Sequence, residues 1–321
     1  MTNVLWLLLG IGLLTAGGEG VVRGALAAAR RLGVSPLLAG LVIVGFGTSA
    51  PELVVSVKAA FDQQPDIVLG NIVGSNIANM LLILGVSALI MPLTIHIKSL
   101  RRDGLSMLAA TLLFMVLANL YGLSRLDGFI MFGVLVAYLI WAYRSEREHL
   151  DDPVAELHQA EANEYENLPL SVPLTLLFLI GGLGLLVLGA DRFLVGAVGL
   201  GQAFGVPEAI IGLTVVAVGT SLPELAVSII AAIRRHADVA IGNVLGSNIF
   251  NLLSILGIAS ILQPLPFGGR LLAVDQWALL GISILLLLFL FFGLSLSRLK
   301  GAVLLLVYVV YVVTMFITQG S

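Results

Sequence analysis

Moved along by 172 residues, the sequence falls on itself. Residues 45–85 align with 217–257 without a gap, and 22 of the 41 positions are identical. GTSAPELVVS (47–56) meets GTSLPELAVS (219–228), and GNIVGSNIAN (70–79) meets GNVLGSNIFN (242–251). Unrelated apolar segments coincide at Leu, Val and Ala. Here the coincidences include Thr, Ser, Glu, Asn, Pro and Gly, so the two segments descend from one duplicated unit.

Both copies lie among apolar runs long enough to cross a bilayer, which takes about 20 residues. The chain of 321 residues is 59% hydrophobic and only 11% charged, against about 25% charged in soluble domains. Lipid must therefore solvate most of it. The pattern predicts spans at about 4–29, 36–60, 67–91, 103–120, 125–143, 171–203, 208–233, 239–262, 272–294 and 300–318. The first lacks the basic flank of a cleavable signal and reads as a retained span. Cysteine is absent, which excludes disulfides, zinc–thiolate sites and iron–sulfur clusters.

Five spans fall in each half, and an odd number forces the second copy to enter the membrane inverted. The expected fold is an all-α polytopic membrane protein: ten transmembrane helices in two inverted five-helix repeats, with broken helices at a central site. Residues 1–143 form the first repeat, 144–170 an acidic, solvated linker and 171–321 the second repeat. Eleven basic residues fall in one set of loops and three in the other. The positive-inside rule then places both termini outside and the 144–170 loop in the cytoplasm, with the chain a multi-pass protein of the cell (plasma or inner) membrane.

The duplicated segments carry the chemistry. In Gly47-Thr48-Ser49-Ala50-Pro51-Glu52, Thr48, Glu52 and Ser56 share one helical stripe, with Ser49 beside it. Pro51 cannot donate to the Gly47 carbonyl, and its ring crowds that oxygen. A kinked helix follows, its freed carbonyls beside the Glu52 carboxylate. Irregular backbone at membrane depth survives only inside protein or along a cavity. Thr220, Ser221, Pro223, Glu224 and Ser228 repeat every element.

A carboxylate at the bilayer centre costs at least ~2.5 kcal/mol, and no Lys or Arg is expected mid-span to offset two of them. A mobile cation is the natural partner. Glu52 and Glu224 together match the charge of one Ca²⁺, an ion that takes about 6–8 oxygen ligands. The hydroxyls of Ser49, Ser75, Ser221 and Ser247 offer adjacent sites for Na⁺. Ser75 and Asn79 face one direction, as do Ser247 and Asn251.

Blander roles suit other residues. Gly70, Gly74, Gly242 and Gly246 are expected to pack helices, and Asn71 and Asn243 to tie them together. Asp66 and Asp238 sit at helix starts. Glu19, with Arg23 one turn on, and Asp191 read as interfacial or gating groups. The basic pairs at 30–31, 101–102 and 234–235 read as topology anchors. The four histidines show no metal-ligand spacing, and the acidic linker lacks the spacing of an EF-hand loop.

With paired G-T-S-x-P-E and G-S-N-I-x-N motifs, the chain resembles the cation/calcium exchanger superfamily, in its prokaryotic sodium/calcium exchanger branch, over all ten spans. The resemblance implies four central ion sites in a diamond and exchange of several Na⁺ for one Ca²⁺ by alternating access. It implies ligands from Thr48, Ser49, Glu52, Ser75, Asn79, Thr220, Ser221, Glu224, Ser247 and Asn251. Main-chain oxygens of Gly45, Ala217, Thr48 and Thr220 join them. It also implies that the first and sixth helices slide as a pair. Many relatives carry Asp where Asn251 stands here, which argues against potassium co-transport.

The expected function is thus Ca²⁺/Na⁺ antiport, with H⁺/Ca²⁺ or other divalent-cation antiport as the alternative. The expected partners are Ca²⁺, Na⁺ and the bilayer, with no cofactor, nucleic acid or obligate protein partner. An intramembrane hydrolase would need paired Asp, Ser with His, or a zinc motif within spans, and none is present. A channel fits poorly with a pseudo-symmetric site inside one chain.

Overall fold

Apolar periodicity becomes helix almost everywhere in the computed structural model, which describes residues 2–147, 171–204 and 219–319. The first half contains α1 (Thr2–Leu32), α2 (Pro36–Thr48), α3 (Ala50–Phe61), α4 (Pro65–Ile90), α5 (Ile97–Tyr121) and α6 (Arg125–Arg147). The second contains α7 (Val172–Ala203), α8 (Leu222–Ile233), α9 (Ala237–Leu262), α10 (Leu271–Phe291) and α11 (Arg298–Gln319). Among the described residues, eight helices are long and apolar enough to span a bilayer, and α2 with α3 makes a ninth, bent by 43°. Of the span expected at 208–233, the part before Gly219 lies outside the described residues.

The centre is made by α4 and α9. Every residue of α9 from Val239 to Phe250 is buried, and α4 is enclosed through Ser75–Leu81. Around them, one helix contact occurs twice, each time between the two halves. A Cβ on Gly128 of α6 would lie 2.5 Å from the Gly257 carbonyl of α9. One on Gly301 of α11 would lie 2.9 Å from the Gly85 carbonyl of α4. Gly85 and Gly257 are related by the 172-residue shift. α5 meets α10 through reciprocal amide hydrogen bonds between Asn119 and Gln276, at 2.6 and 3.2 Å. The two-residue strands β1 (Leu93–Thr94) and β2 (Ser295–Leu296) pair antiparallel and join the loop after α4 to that before α11.

α1 and α7 run antiparallel with their backbones in contact. Leu7 lies against Gly196, Leu14 against Gly189 and Gly17 against Gly182; a Cβ on Gly17 would come within 2.8 Å of the Gly182 carbonyl. Small residues permit this close approach where lipid supplies no hydrophobic drive between helices. The outer faces present Leu5, Leu8, Val116, Leu120, Phe129, Leu177, Ile180, Leu306 and Val310 to the surroundings. So broad an apolar surface needs lipid rather than water.

Two sequence expectations require correction. The linker does not begin at 144: α6 continues to Arg147, and Glu146 is a half-buried ion-pair partner of Arg102 rather than a solvated acid. Nor is Arg102 a topology anchor like exposed Arg101. Its guanidinium is almost fully buried and also grips Asp103 at 2.7 and 2.9 Å. Tyr138 donates to Asp103 (3.0 Å), and Glu146 accepts from the Ser35 amide (3.1 Å) at the start of α2. A buried charge is tolerated when paired and hydrogen-bonded, and this cluster meets both conditions. The second half has a lighter version, in which Arg270 and Tyr311 both donate to Asp275, at 3.2 and 3.1 Å.

Candidate ion-binding site

The α2–α3 break sits where the Gly-Thr-Ser-x-Pro sequence places it. Ser49 leaves helical geometry (φ −78°, ψ 6°), and Pro51 falls in the first turn of α3, where its missing N–H costs nothing. Glu52 occupies the same turn and is fully buried. In the second copy Ser221 has φ −87° and ψ 8°, Pro223 opens α8, and Glu224 is equally buried. Each carboxylate therefore sits at the positive end of a half-helix.

The halves complete one another. Ser49 donates its hydroxyl to Glu224 Oε1 at 3.2 Å, and Ser221 donates to Glu52 Oε1 at 3.4 Å. The second oxygen of each carboxylate, Oε2, is buried with no hydrogen-bond partner among the described residues. Among the described residues no Lys, Arg or His forms an ion pair with either acid. The buried Arg102 is taken up by Asp103 and Glu146.

Asn71 and Asn243 do what tying residues should. Asn71 donates to the Glu52 carbonyl (3.3 Å) and Ser56 Oγ (3.0 Å), fixing α4 to α3. Asn243 donates to the Glu224 carbonyl (3.1 Å) and Ser228 Oγ (2.9 Å), and its Oδ1 accepts from Thr48 at 3.2 Å. Gly242 and Gly246 bring α9 onto α2: a Cβ on Gly246 would stand 2.1 Å from the Leu41 carbonyl. For Gly70 and Gly74 the equivalent partners, residues 209 and 213, lie outside the described residues.

Asn79 and Asn251 are different. Their Oδ1 atoms are buried without a partner among the described residues, as is Thr220 Oγ1. Both residues open a widened turn, in which Leu84 N–H bonds to the Asn79 carbonyl and Leu256 N–H to the Asn251 carbonyl, five residues apart. Such turns concentrate at functional positions. Gly40–Val44 in α2 forms another, closed by Gly45 N–H on the Gly40 carbonyl.

The remaining expected ligands are less uniform. Ser75 is buried on α4. Ser247 donates to the Gly45 carbonyl at 3.2 Å, an oxygen that also accepts from Thr48 Oγ1 (3.4 Å) and the Ser49 amide (3.2 Å). Ala217 lies outside the described residues. Glu19 pairs with Arg23 as its spacing implied, at 2.6 Å, and also with Arg234 of the α8–α9 turn, at 2.8 Å. Asp191 pairs with its neighbour Arg192 at 2.6 Å.

Sequence reading passed over Asn76 and Asn248. Asn76 Oδ1 accepts from Asn251 Nδ2 at 2.9 Å, and Asn248 Oδ1 accepts from Asn79 Nδ2 at 3.2 Å. The available signal was that both recur under the shift, three residues before Asn79 and Asn251.

A multi-span helical membrane protein with two unneutralised acids enclosed at its centre is a transporter by architecture. The comparisons make the class specific. The chain belongs to the sodium/calcium exchanger family, whose description, "Sodium/calcium exchanger protein", matches residues 2–144 and 174–317. It is 34% identical to the sodium/calcium exchanger MaX1 of Methanosarcina acetivorans over 98% of each chain. It is 35% identical to the inner membrane protein YrbG of Escherichia coli, over 87% of this chain and 86% of that one. Among solved structures, the sodium–calcium exchanger NCX_Mj superposes with a TM-score of 0.83 at 32% identity, covering 98% of this chain and 99% of that one.

Proposed function

We propose that this chain is a secondary-active antiporter that exchanges Ca²⁺ for Na⁺ by alternating access, with Glu52 and Glu224 as its central ion-binding carboxylates. The observation that carries the reading is the pair of buried Oε2 atoms with, among the described residues, neither a hydrogen-bond partner nor a fixed cation. An uncompensated carboxylate in a low-dielectric interior is several kcal/mol unfavourable, and two facing one centre call for a divalent partner. The buried oxygens of Asn79, Asn251 and Thr220 bring the ligand count toward the ~6–8 that Ca²⁺ takes. Thr48, Ser49, Ser75, Ser221, Ser247 and the Gly45 carbonyl complete the set, with Ala217 as its second-half counterpart, and supply adjacent sites for Na⁺.

Either one Ca²⁺ or competing Na⁺ neutralises the acids. The glycine-faced pair α1–α7 then slides past the centre, opening it to one side and then the other. With the acids bare and charged, that movement would expose them to an apolar barrier, which enforces exchange over leak. The frame is ten spans in two inverted halves, with both termini outside. The antiparallel packing of α1 on α7 supports the inversion, and so does the recurrence of the Gly85 and Gly257 contacts.

Tracer uptake into proteoliposomes tests the proposal. An outward Na⁺ gradient drives Ca²⁺ in, and Glu52→Gln or Glu224→Gln abolishes it. Uptake driven by a pH gradient without Na⁺ would make H⁺ the counter-ion, and normal flux in either variant would refute the assignment.

A further inference from the structure

Asn76 and Asn248 have no place in the ligand set, yet each touches the opposite half at the candidate site. An Asn side chain has an accepting oxygen at one end and a donating NH₂ at the other. In Asn251 the NH₂ is taken by Asn76 Oδ1 at 2.9 Å, and in Asn79 by Asn248 Oδ1 at 3.2 Å. With the donor end captured, the oxygen faces the other way. In both residues that oxygen is the buried atom without a partner. We infer that Asn76 and Asn248 are positioning residues that hold the amides of Asn251 and Asn79 oxygen-first toward the transported cation. The inference rests on the proposed Ca²⁺ site; without a cation there the orientation has no purpose.

The two clamps are unequal. Asn76 is itself fixed, because its Nδ2 donates to the Asn248 carbonyl at 3.2 Å. Among the described residues, Asn248 Nδ2 donates only to the Met107 sulfur, at 3.5 Å, and a thioether is a weak acceptor. Asn251 is thus held more tightly than Asn79. Free of its clamp, either amide can rotate and turn N–H groups toward the ion, and a cation repels donors. Groups that orient metal ligands are typically worth about 10–100-fold in metal affinity.

The experiment contrasts two replacements of Asn248. Asn248→Leu removes the acceptor but keeps the volume, whereas Asn248→Asp keeps an oxygen for Asn79 Nδ2. Na⁺-driven Ca²⁺ uptake by the unaltered chain separately tests the exchange reading, and the inference is read from ratios to it. Asn248→Leu is expected to raise the Ca²⁺ KM about tenfold with the maximal rate held within about twofold, while Asn248→Asp stays near the wild type. A packing role predicts the reverse order, since Leu is tolerated in a core and a buried carboxylate is not. In an Asn79→Leu background, Asn248→Leu adds no further loss if it acts through Asn79. A wild-type KM for Asn248→Leu, an Asp variant no better than the Leu one, or an additive loss in the double variant would each overturn the inference.

Discussion

Ser49 and Glu224 stand 175 positions apart in sequence, yet the hydroxyl of one is bonded to the carboxylate of the other at 3.2 Å. Ser221 returns the same bond to Glu52 at 3.4 Å. Neither serine serves the acid of its own motif. A hydrogen bond to a charged group is worth ~1.5–3 kcal/mol net, so Ser49→Ala and Ser221→Ala should each weaken Ca²⁺ binding about tenfold or more. Equilibrium ⁴⁵Ca²⁺ binding to purified protein measures this. An effect confined to one serine would contradict the reciprocal arrangement.

Asn243 and Asn71 tie equivalent helices but carry unequal loads. Asn243 is fully buried and has three partners, including Thr48, whereas Asn71 is partly exposed and has two. Leaving buried polar groups unsatisfied costs ~1–3 kcal/mol. Asn243→Ala should therefore lower the melting temperature of the detergent-solubilised protein more than Asn71→Ala does.

At the α1–α7 contact, Gly17→Val would drive a side chain into the Gly182 carbonyl, 2.8 Å from where a Cβ begins. Gly12, on the same helix, has open space around its Cβ position. If this pair must slide, Gly17→Val should cut turnover strongly while equilibrium Ca²⁺ binding persists, and Gly12→Val should leave both intact. Parallel flux and binding measurements separate the outcomes.

Removing the guanidinium from the α5–α6 cluster should cost folded protein. Arg102→Leu leaves Asp103 buried and Glu146 half-buried, both uncompensated, a class of change that costs ~3–5 kcal/mol. Arg102→Leu combined with Asp103→Leu should recover much of that loss. The yield of monodisperse protein by size exclusion reports both variants.

Much of this was legible in the residues. Spans announced themselves by length and apolarity, and the break at Ser49 followed from Gly47 and Pro51 on either side of it. The packing glycines at 242 and 246 were likewise read from their small size within a span. What escaped has a common physical cause. Arg102 looks like an anchor because its partner Glu146, and the Tyr138 that donates to Asp103, lie on another helix. The cross-pairing of Asn76 with Asn251 requires knowing that α4 meets α9 at that level. The widened turns at Asn79 and Asn251 carry no residue-type signature, since five-residue backbone spacing is a response to surrounding packing.

The crossed serine–glutamate bonds also bear on how such a protein came to exist. Because each acid is finished by a hydroxyl from the other half, one half alone owns no complete centre. A single-copy ancestor would have had to meet a second molecule in the bilayer before the crossed bonds could form. Within one chain that encounter is permanent and the two halves are free to diverge, as the different partners of the Asn76 and Asn248 amides show.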